Sequence, residues 1–191
     1  MRKTAGKTAL VDLSAKTIRL EDTPGEIVRN WLGGRGANMA YLYRMLRSDM
    51  DPLGPGNVLI FGAGLLTGFE LPNVSRMNIS AKSPESGILG DANMGGFFPV
   101  AMRKSGFDRL IITGKSPTPV YLFLANGLLT IRDAKNYWGL DVPKTQAALE
   151  RDLGPEVCSA VIGPAGEHQV RFACVMTGQK NAAGRGGMGA V

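Results

Sequence analysis

The 191 residues carry 22 Lys and Arg against 16 Asp and Glu, a net charge of +6, with 44% apolar and 20% charged residues. That is chain enough for a packed core, and the composition is that of an ordinary soluble globular protein. The basic residues are scattered rather than clustered, which excludes a nucleic-acid patch, and no apolar run reaches membrane-span length. The basic N-terminus lacks the apolar stretch of a secretory signal, so the expectation is a cytoplasmic protein with a phosphate-bearing partner. Glycine, at 26 residues, has nearly twice its usual share and predicts loops that approach ligands or other backbone closely.

In chain order, Thr8–Leu13 and Lys16–Glu21 read as strands joined by a tight turn. Thr23-Pro24-Gly25-Glu26 reads as a helix start, with Thr23 as N-cap and Glu26 closing a capping box. That helix is expected to stop at Gly33-Gly34. A second, Ala37–Arg47, carries Met39, Leu42, Tyr43 and Leu46 at helical spacing. After the turn cluster Asp51–Gly56, Val58–Phe61 reads as a buried strand.

The most informative stretch is Arg76–Phe98. It begins as an alternating, half-buried strand with Met77, Ile79 and Ala81 on one face, and ends in the glycine loop Asn93-Met94-Gly95-Gly96. Arg76 and Lys82 sit at the strand's two ends, and either cation suits phosphate. The combination reads as an anion-binding platform: strand, basic side chain and glycine loop.

Phe97–Ser105 is expected to be a short helix and Arg109–Thr113 a strand. Val120–Leu124 and Leu128–Asp133 flank Asn126-Gly127, a strong hairpin signal. Asp141 and Pro143 start a helix through Leu153. Ser159–Ile162 and Gln169–Met176 read as closing strands, and Gly178–Ala190 as a second glycine-rich loop. Strands outnumber helices and pair with their neighbours, which argues α+β in one domain over residues 1–191, with no dividing linker. A faint repeat supports an internal duplication: Ile60-Phe61-Gly62-Ala63-Gly64 is echoed by Val161-Ile162-Gly163-Pro164-Ala165-Gly166. Each is followed by a strand with one arginine, Arg76 or Arg171, and then by an asparagine-bearing glycine loop.

Cys158 and Cys174 sit in apolar runs and read as buried thiols, and His168 is the one histidine. Two thiols and one imidazole cannot build a four-ligand zinc or iron–sulfur site. Gly184, Gly186 and Gly189 satisfy the dinucleotide glycine pattern, but no strand directly precedes the loop. A P-loop, a nucleophile elbow and a metal triad are all missing from the sequence, so the residues themselves predict binding without chemistry.

Several ordered motifs then converge. They include Trp31-Leu32-Gly33-Gly34-Arg35-Gly36, Lys82-Ser83-Pro84, Asn93-Met94-Gly95-Gly96-Phe97-Phe98, Ser105-Gly106-Phe107-Asp108, Ile162–Glu167 and Ala183-Gly184-Arg185-Gly186-Gly187-Met188-Gly189. With them the whole chain resembles the N-terminal domain of the tungsten-containing aldehyde:ferredoxin oxidoreductase family. The resemblance implies two β-sheets related by a pseudo-two-fold and forming a saddle, with a few short helices. On that saddle a tungsten ion is held by two pyranopterins, with Mg2+ bridging their phosphates.

By position, the cofactor contacts fall on Arg76, Asn93, Gly95, Asn181, Ala182, Gly184 and Arg185, and the metal carbonyls on Asn93 and Ala182. Family members often carry a basic residue where this chain has Asn181. The resemblance also implies that the [4Fe-4S] cysteines and the acid/base residues lie in C-terminal domains outside these residues. The chain would then be a truncated or separately encoded piece of the enzyme. Its partners would be those domains, ferredoxin, and a second copy in a homo-oligomer. A benzoyl-CoA reductase domain and a stand-alone module for a phosphorylated pterin or nucleotide are the alternatives.

Overall fold

The computed structural model describes residues 6–69 and 71–191; the basic start of the chain lies outside the described residues. The first hairpin is β1 (Lys7–Asp12) with β2 (Thr17–Asp22), followed by helices α1 (Gly25–Trp31) and α2 (Gly34–Met45). A three-strand meander follows: β3 (Leu59–Ala63), β4 (Met77–Lys82) and β5 (Leu89–Met94). Helix α3 (Phe98–Lys104) then leads to β6 (Phe107–Thr113). These strands form one six-stranded sheet in the order β2-β1-β6-β3-β4-β5. All its pairings are antiparallel except β1 with β6.

The second half is lighter. Its hairpin is β7 (Val120–Ala125) with β8 (Leu128–Asp133), turning at Asn126-Gly127. Helix α4 (Val142–Leu153) begins where Asp141 accepts a hydrogen bond from the Lys144 backbone N–H at 2.9 Å. A short turn of helix, α5 (Pro164–Glu167), precedes β9 (Val175–Thr177) and β10 (Asn181–Ala183), which form a second two-stranded ribbon. Val161 bridges to Met176 antiparallel, so a lone bridge, β9 and β10 repeat the connectivity of β3, β4 and β5. Hairpin, helix, meander is thus the order in both halves. The architecture is α+β, with the second half's strands in two small ribbons rather than one sheet.

Several expectations are corrected. Thr23 does not cap α1: its hydroxyl lies 3.0 Å from the Thr8 hydroxyl in the interior, and α1 starts after Pro24 with no side-chain cap. On α2 the buried positions are Gly34, Ala37, Asn38, Ala40 and Leu42, whereas Tyr43 is 89% exposed. Small residues on that stripe let the helix lie close to the sheet. At Gly62, a Cβ would stand 2.1 Å from Asn38 Oδ1, so only glycine leaves room for the helix there.

Strand β4 is not half-buried: Met77 to Ala81 are all buried, with apolar residues toward the core and Asn78 and Ser80 beneath α2. The expected strands at Ser159–Ile162 and Gln169–Met176 shrink to the Val161 bridge and β9. Pro164, which has no N–H to give a ladder, opens α5 in between. Both cysteines are half-buried rather than fully enclosed.

The main core lies on the sheet face away from α2. It joins Met77, Ile79, Met94, Phe107 and Leu110 to Val175, Ala183 and Met188 of the second half. A cavity of about 620 Å³ opens on this same side, lined by side chains such as Phe61, Leu110, Leu124, Leu149 and Val175. Among the described residues no helix is long and apolar enough to cross a membrane.

Candidate functional site

Strand β5 forms one edge of the six-stranded sheet, and β10 packs beside it. This places the two glycine loops together although they are nearly a whole half-chain apart. A Cβ on Gly95 would lie 3.5 Å from Asn181 Oδ1 and 3.8 Å from Arg76 Cδ and Nε. Gly96 has φ +90, and a Cβ there would stand 2.8 Å from Asn181 Nδ2. Backbone, guanidinium and carboxamide therefore surround one point at the end of β5, and the two glycines keep it open. Farther along, a Cβ on Gly186 would approach the Asp91 backbone at 3.7 Å, so the second loop runs beside β5 as well.

The sequence-derived residues divide as follows. The side chains of Arg76 and Asn181 both lie beside Gly95. Asn93 is exposed and lies two residues before Gly95, in strand β5 rather than in a loop, paired with Asn78. Ala182 is exposed on β10 opposite Met176, Gly184 closes a tight turn with Gly186, and Arg185 is exposed with φ +66. Lys82 is not part of the site: its Nζ donates to the carbonyls of Ser48 at 2.6 Å and Met50 at 2.7 Å, which locks the loop after α2.

Sequence reasoning missed the polar support behind β5. Asp91 Oδ2 accepts from Arg35 Nε at 2.7 Å and from Asn78 Nδ2 at 2.9 Å. Asn78 Nδ2 also donates to Asn93 Oδ1 at 3.0 Å. Behind it, Asn38 Nδ2 donates to Asn78 Oδ1 at 3.2 Å, and Arg109 Nε donates to Asn38 Oδ1 at 3.0 Å. Ser80 Oγ also bonds to Asn78 Oδ1. Arg109 is 1% exposed, and its guanidinium lies 5.1 Å from the Tyr41 ring centroid, a cation–π contact. Burial pushes its pKa below the ordinary value. The alternation of Asn78 and Ser80 with apolar neighbours was visible in the sequence, but its partner α2 was not.

Cys158 lies on the cavity side, where burial, with Glu156 nearby, pushes its thiol upward, away from the reactive thiolate form. Among the described residues no cluster of three or more His, Cys, Asp or Glu side chains could hold a metal. A metal here would need backbone carbonyls or ligands from elsewhere.

The sequence and the α+β fold of this chain are matched by known proteins. The family model for the aldehyde ferredoxin oxidoreductase N-terminal domain covers residues 8–191. The chain belongs to that family. It is 41% identical over 187 residues to the tungsten-containing aldehyde ferredoxin oxidoreductase of Pyrococcus furiosus, covering 97% of this chain and 31% of that protein. It is 34% identical over 203 residues to the aliphatic sulfonate oxidoreductase, WOR-like subunit, of the same organism, covering 97% of this chain and 32% of the relative. Among solved structures, the active-site complex BamBC of benzoyl coenzyme A reductase, bound to 1,5-dienoyl-CoA, superposes with a TM-score of 0.95. There the identity is 35%, covering 100% of this chain and 29% of that one. The chain thus spans about a third of the length of these relatives.

Proposed function

We propose that residues 1–191 form a single cofactor-platform domain that carries a tungsten bis-pyranopterin group in an aldehyde:ferredoxin oxidoreductase. The supporting observation is the meeting of Arg76, Gly95 and Asn181 at one glycine-lined opening. The residues present fit a phosphate-bearing group: a guanidinium fork, a carboxamide, and backbone that a side chain would otherwise block. Arg76, Asn93 and Gly95 would hold one phosphate end, and Asn181, Ala182, Gly184 and Arg185 the other. The backbone carbonyls of Asn93 and Ala182 are the candidates for Mg2+, which prefers hard oxygen ligands. When bound, the tungsten group supplies the redox centre for oxidising an aldehyde to a carboxylic acid. This chain's own part is to seat and orient it. The [4Fe-4S] cluster, the route to ferredoxin and the choice of substrate belong to further domains in this reading.

A second reading, the corresponding domain of a benzoyl-CoA reductase, is favoured by the structural match at a TM-score of 0.95. Both readings place the same group on the same surface.

The test is to produce the chain in a host that synthesises tungstopterin, and to measure tungsten and phosphate bound per chain. Wild type is expected to retain both. Gly95→Ala, whose new methyl meets only ordinary van der Waals contacts, and Arg76→Met are expected to fold and to lose most of them. Equal retention by Gly95→Ala, or none by wild type, refutes the platform. In either case the isolated chain should show no dye-linked aldehyde oxidation, since it has no ligands for an electron-exit cluster.

A further inference from the structure

The buried hydrogen bonds behind β5 have a direction, and that direction can be deduced from their two ends. Arg109 can only donate, so Asn38 must turn Oδ1 toward it and Nδ2 away. Asn38 Nδ2 then faces acceptors only, the Asn78 carbonyl at 3.0 Å, Asn78 Oδ1 at 3.2 Å and Ser80 Oγ at 3.2 Å. It is the Asp91 carboxylate that decides which way Asn78 points. Asn78 is left presenting Nδ2 forward, where the Asp91 carboxylate, an acceptor, takes one hydrogen and Asn93 Oδ1 the other. A donor-only group at one end and a carboxylate at the other allow no reversal of the chain. Asn93 has therefore spent its oxygen inward, and its Nδ2 faces the exposed side of β5.

We propose that Asn78 is a positioning residue that fixes Asn93 as an outward donor, and that Arg35 is an additional cationic contact on the same face. Arg35 Nε is held by Asp91 while the side chain remains 59% exposed, which leaves the outer part of its guanidinium toward solvent. Arg76 precedes Met77 and Met94 pairs with it, so Arg76 lies at the Gly95 end of β5 and Arg35 at the Asp91 end. Asn93 lies between them. Two guanidiniums and a carboxamide N–H pair line this strip, with the Asp91 carboxylate on it neutralised by Arg35. The remaining donors suit an anion with several oxygens, such as a diphosphate or phosphate ester. The same polarity turns Asn93 Oδ1 toward Asn78, which leaves its backbone carbonyl as the candidate for a metal. Asn78 is 1% exposed and cannot touch the ligand, so it acts through Asn93.

This inference rests on the phosphate-platform reading, and the test separates the two. Inorganic pyrophosphate, with EDTA present to remove metal, is titrated into the 191-residue chain by calorimetry. In parallel, the Asn93 side-chain NH2 resonances are followed by 1H–15N NMR. Wild type is expected to bind, with the Asn93 NH2 signals shifting on titration. Arg35→Met, an exposed change that leaves folding intact, should weaken binding about tenfold, the loss of one charge-assisted contact. Asn78→Asp keeps the acceptor for Asn38 and turns Asn93 around, but it also sets a carboxylate against Asp91. The Asn93 NH2 signals, which added charge alone would not silence, are therefore the deciding readout. This variant should weaken binding by a similar factor and abolish the shift of the Asn93 NH2 signals, even where circular dichroism shows native structure.

Wild-type affinity in Arg35→Met, or an unaltered Asn93 response in Asn78→Asp, overturns the inference while leaving the platform intact. Absence of pyrophosphate binding by wild type overturns the platform and the inference together. If Asn78→Asp fails to fold, Arg35→Met and Asn93→Asp decide the matter: both must weaken binding.

Discussion

The six-stranded sheet is closed to water on one face by apolar side chains alone and on the other, beneath α2, by the apolar cluster of Leu42, Val58, Ile60 and Ile111 together with a hydrogen-bonded group. On one face Met77, Ile79, Met94 and Leu110 are buried against other apolar side chains. On the other, Asn38, Asn78, Ser80 and Arg109, all at most 1% exposed, are closed by hydrogen bonds to one another beneath α2. Apolar burial is graded, at about 0.8 kcal/mol per buried methylene, and tolerates small changes in shape. A polar interior is conditional: each group is stabilising only while its partners remain, and removing one strands several. Packing can hold a volume, but it cannot decide which end of an amide faces outward. The hydrogen-bonded face lies behind the candidate site, where orientation is what a binding surface needs.

The largest effect is expected from Asn38→Leu. It leaves Arg109 Nε and the Asn78 carbonyl short of a partner in the interior and takes one of two donors from the Asn78 side-chain oxygen, which keeps Ser80 Oγ. At about 1–3 kcal/mol for each stranded group, the loss should be about 4 kcal/mol or more, read by urea denaturation. Removing the donor as well, in Asn38→Leu with Arg109→Leu, should cost less than the sum of the two single changes. Additive costs would show that the polar face is held by packing like the other.

Next comes Ile79→Ala on the apolar face, where a fully buried side chain is shortened. The expected loss is about 2–5 kcal/mol, and Ile79→Val should lose only about 1 kcal/mol. If Ile79→Val were as damaging as Asn38→Leu, the graded character assigned to this face would be wrong.

How much of this could be read from the sequence follows the same division. The Asn126-Gly127 hairpin, the Asp141 cap of α4, and the Phe98–Lys104 helix are local events, and each was legible. Alternation on β4 was legible too, but it signals polarity rather than exposure. Nothing in Met77–Lys82 says that Asn78 and Ser80 lie under a helix. That depends on the glycine and alanine stripe of α2 and on Gly62, which act through distance and not through hydrophobicity. Of the site, Arg76, Gly95 and Asn181 were named from the sequence and lie together, since glycine loops mark themselves. Arg35 was quoted only inside a motif, Asp91 fell unremarked within Arg76–Phe98, and Lys82 was misread. A lysine bonded to two carbonyls looks the same in sequence as one waiting for phosphate.

The smallest effect concerns pH, and it tests whether anything on the hydrogen-bonded face titrates under ordinary conditions. Amides do not titrate, and arginine remains charged, so the buried links from Arg109 through Asn38 to Asn78 should be indifferent to pH between 5 and 8. Carboxylates with depressed pKa values lie instead on the surface. Asp141 is held below its ordinary 3.8 by the Lys144 backbone N–H and then by the Lys144 side chain. Hydrogen bonds from Arg151 and then Tyr137 lower Asp152, and one from Arg47 lowers Asp49. A depressed carboxylate contributes stability above its unfolded value and loses it as pH falls through its folded value. Melting temperature is therefore expected to stay level from pH 8 to 5 and to decline only below about 4. The decline should be slight for each exposed group. Asp141→Asn keeps an effective helix cap but removes the proton equilibrium, so it should shed its share of the acid loss while melting near wild type at pH 7. A drop of many degrees already between pH 8 and 5, undiminished in Asp141→Asn, would place a titrating group inside the hydrogen-bonded face. The fixed polarity of Asn93 could not then be maintained across that range.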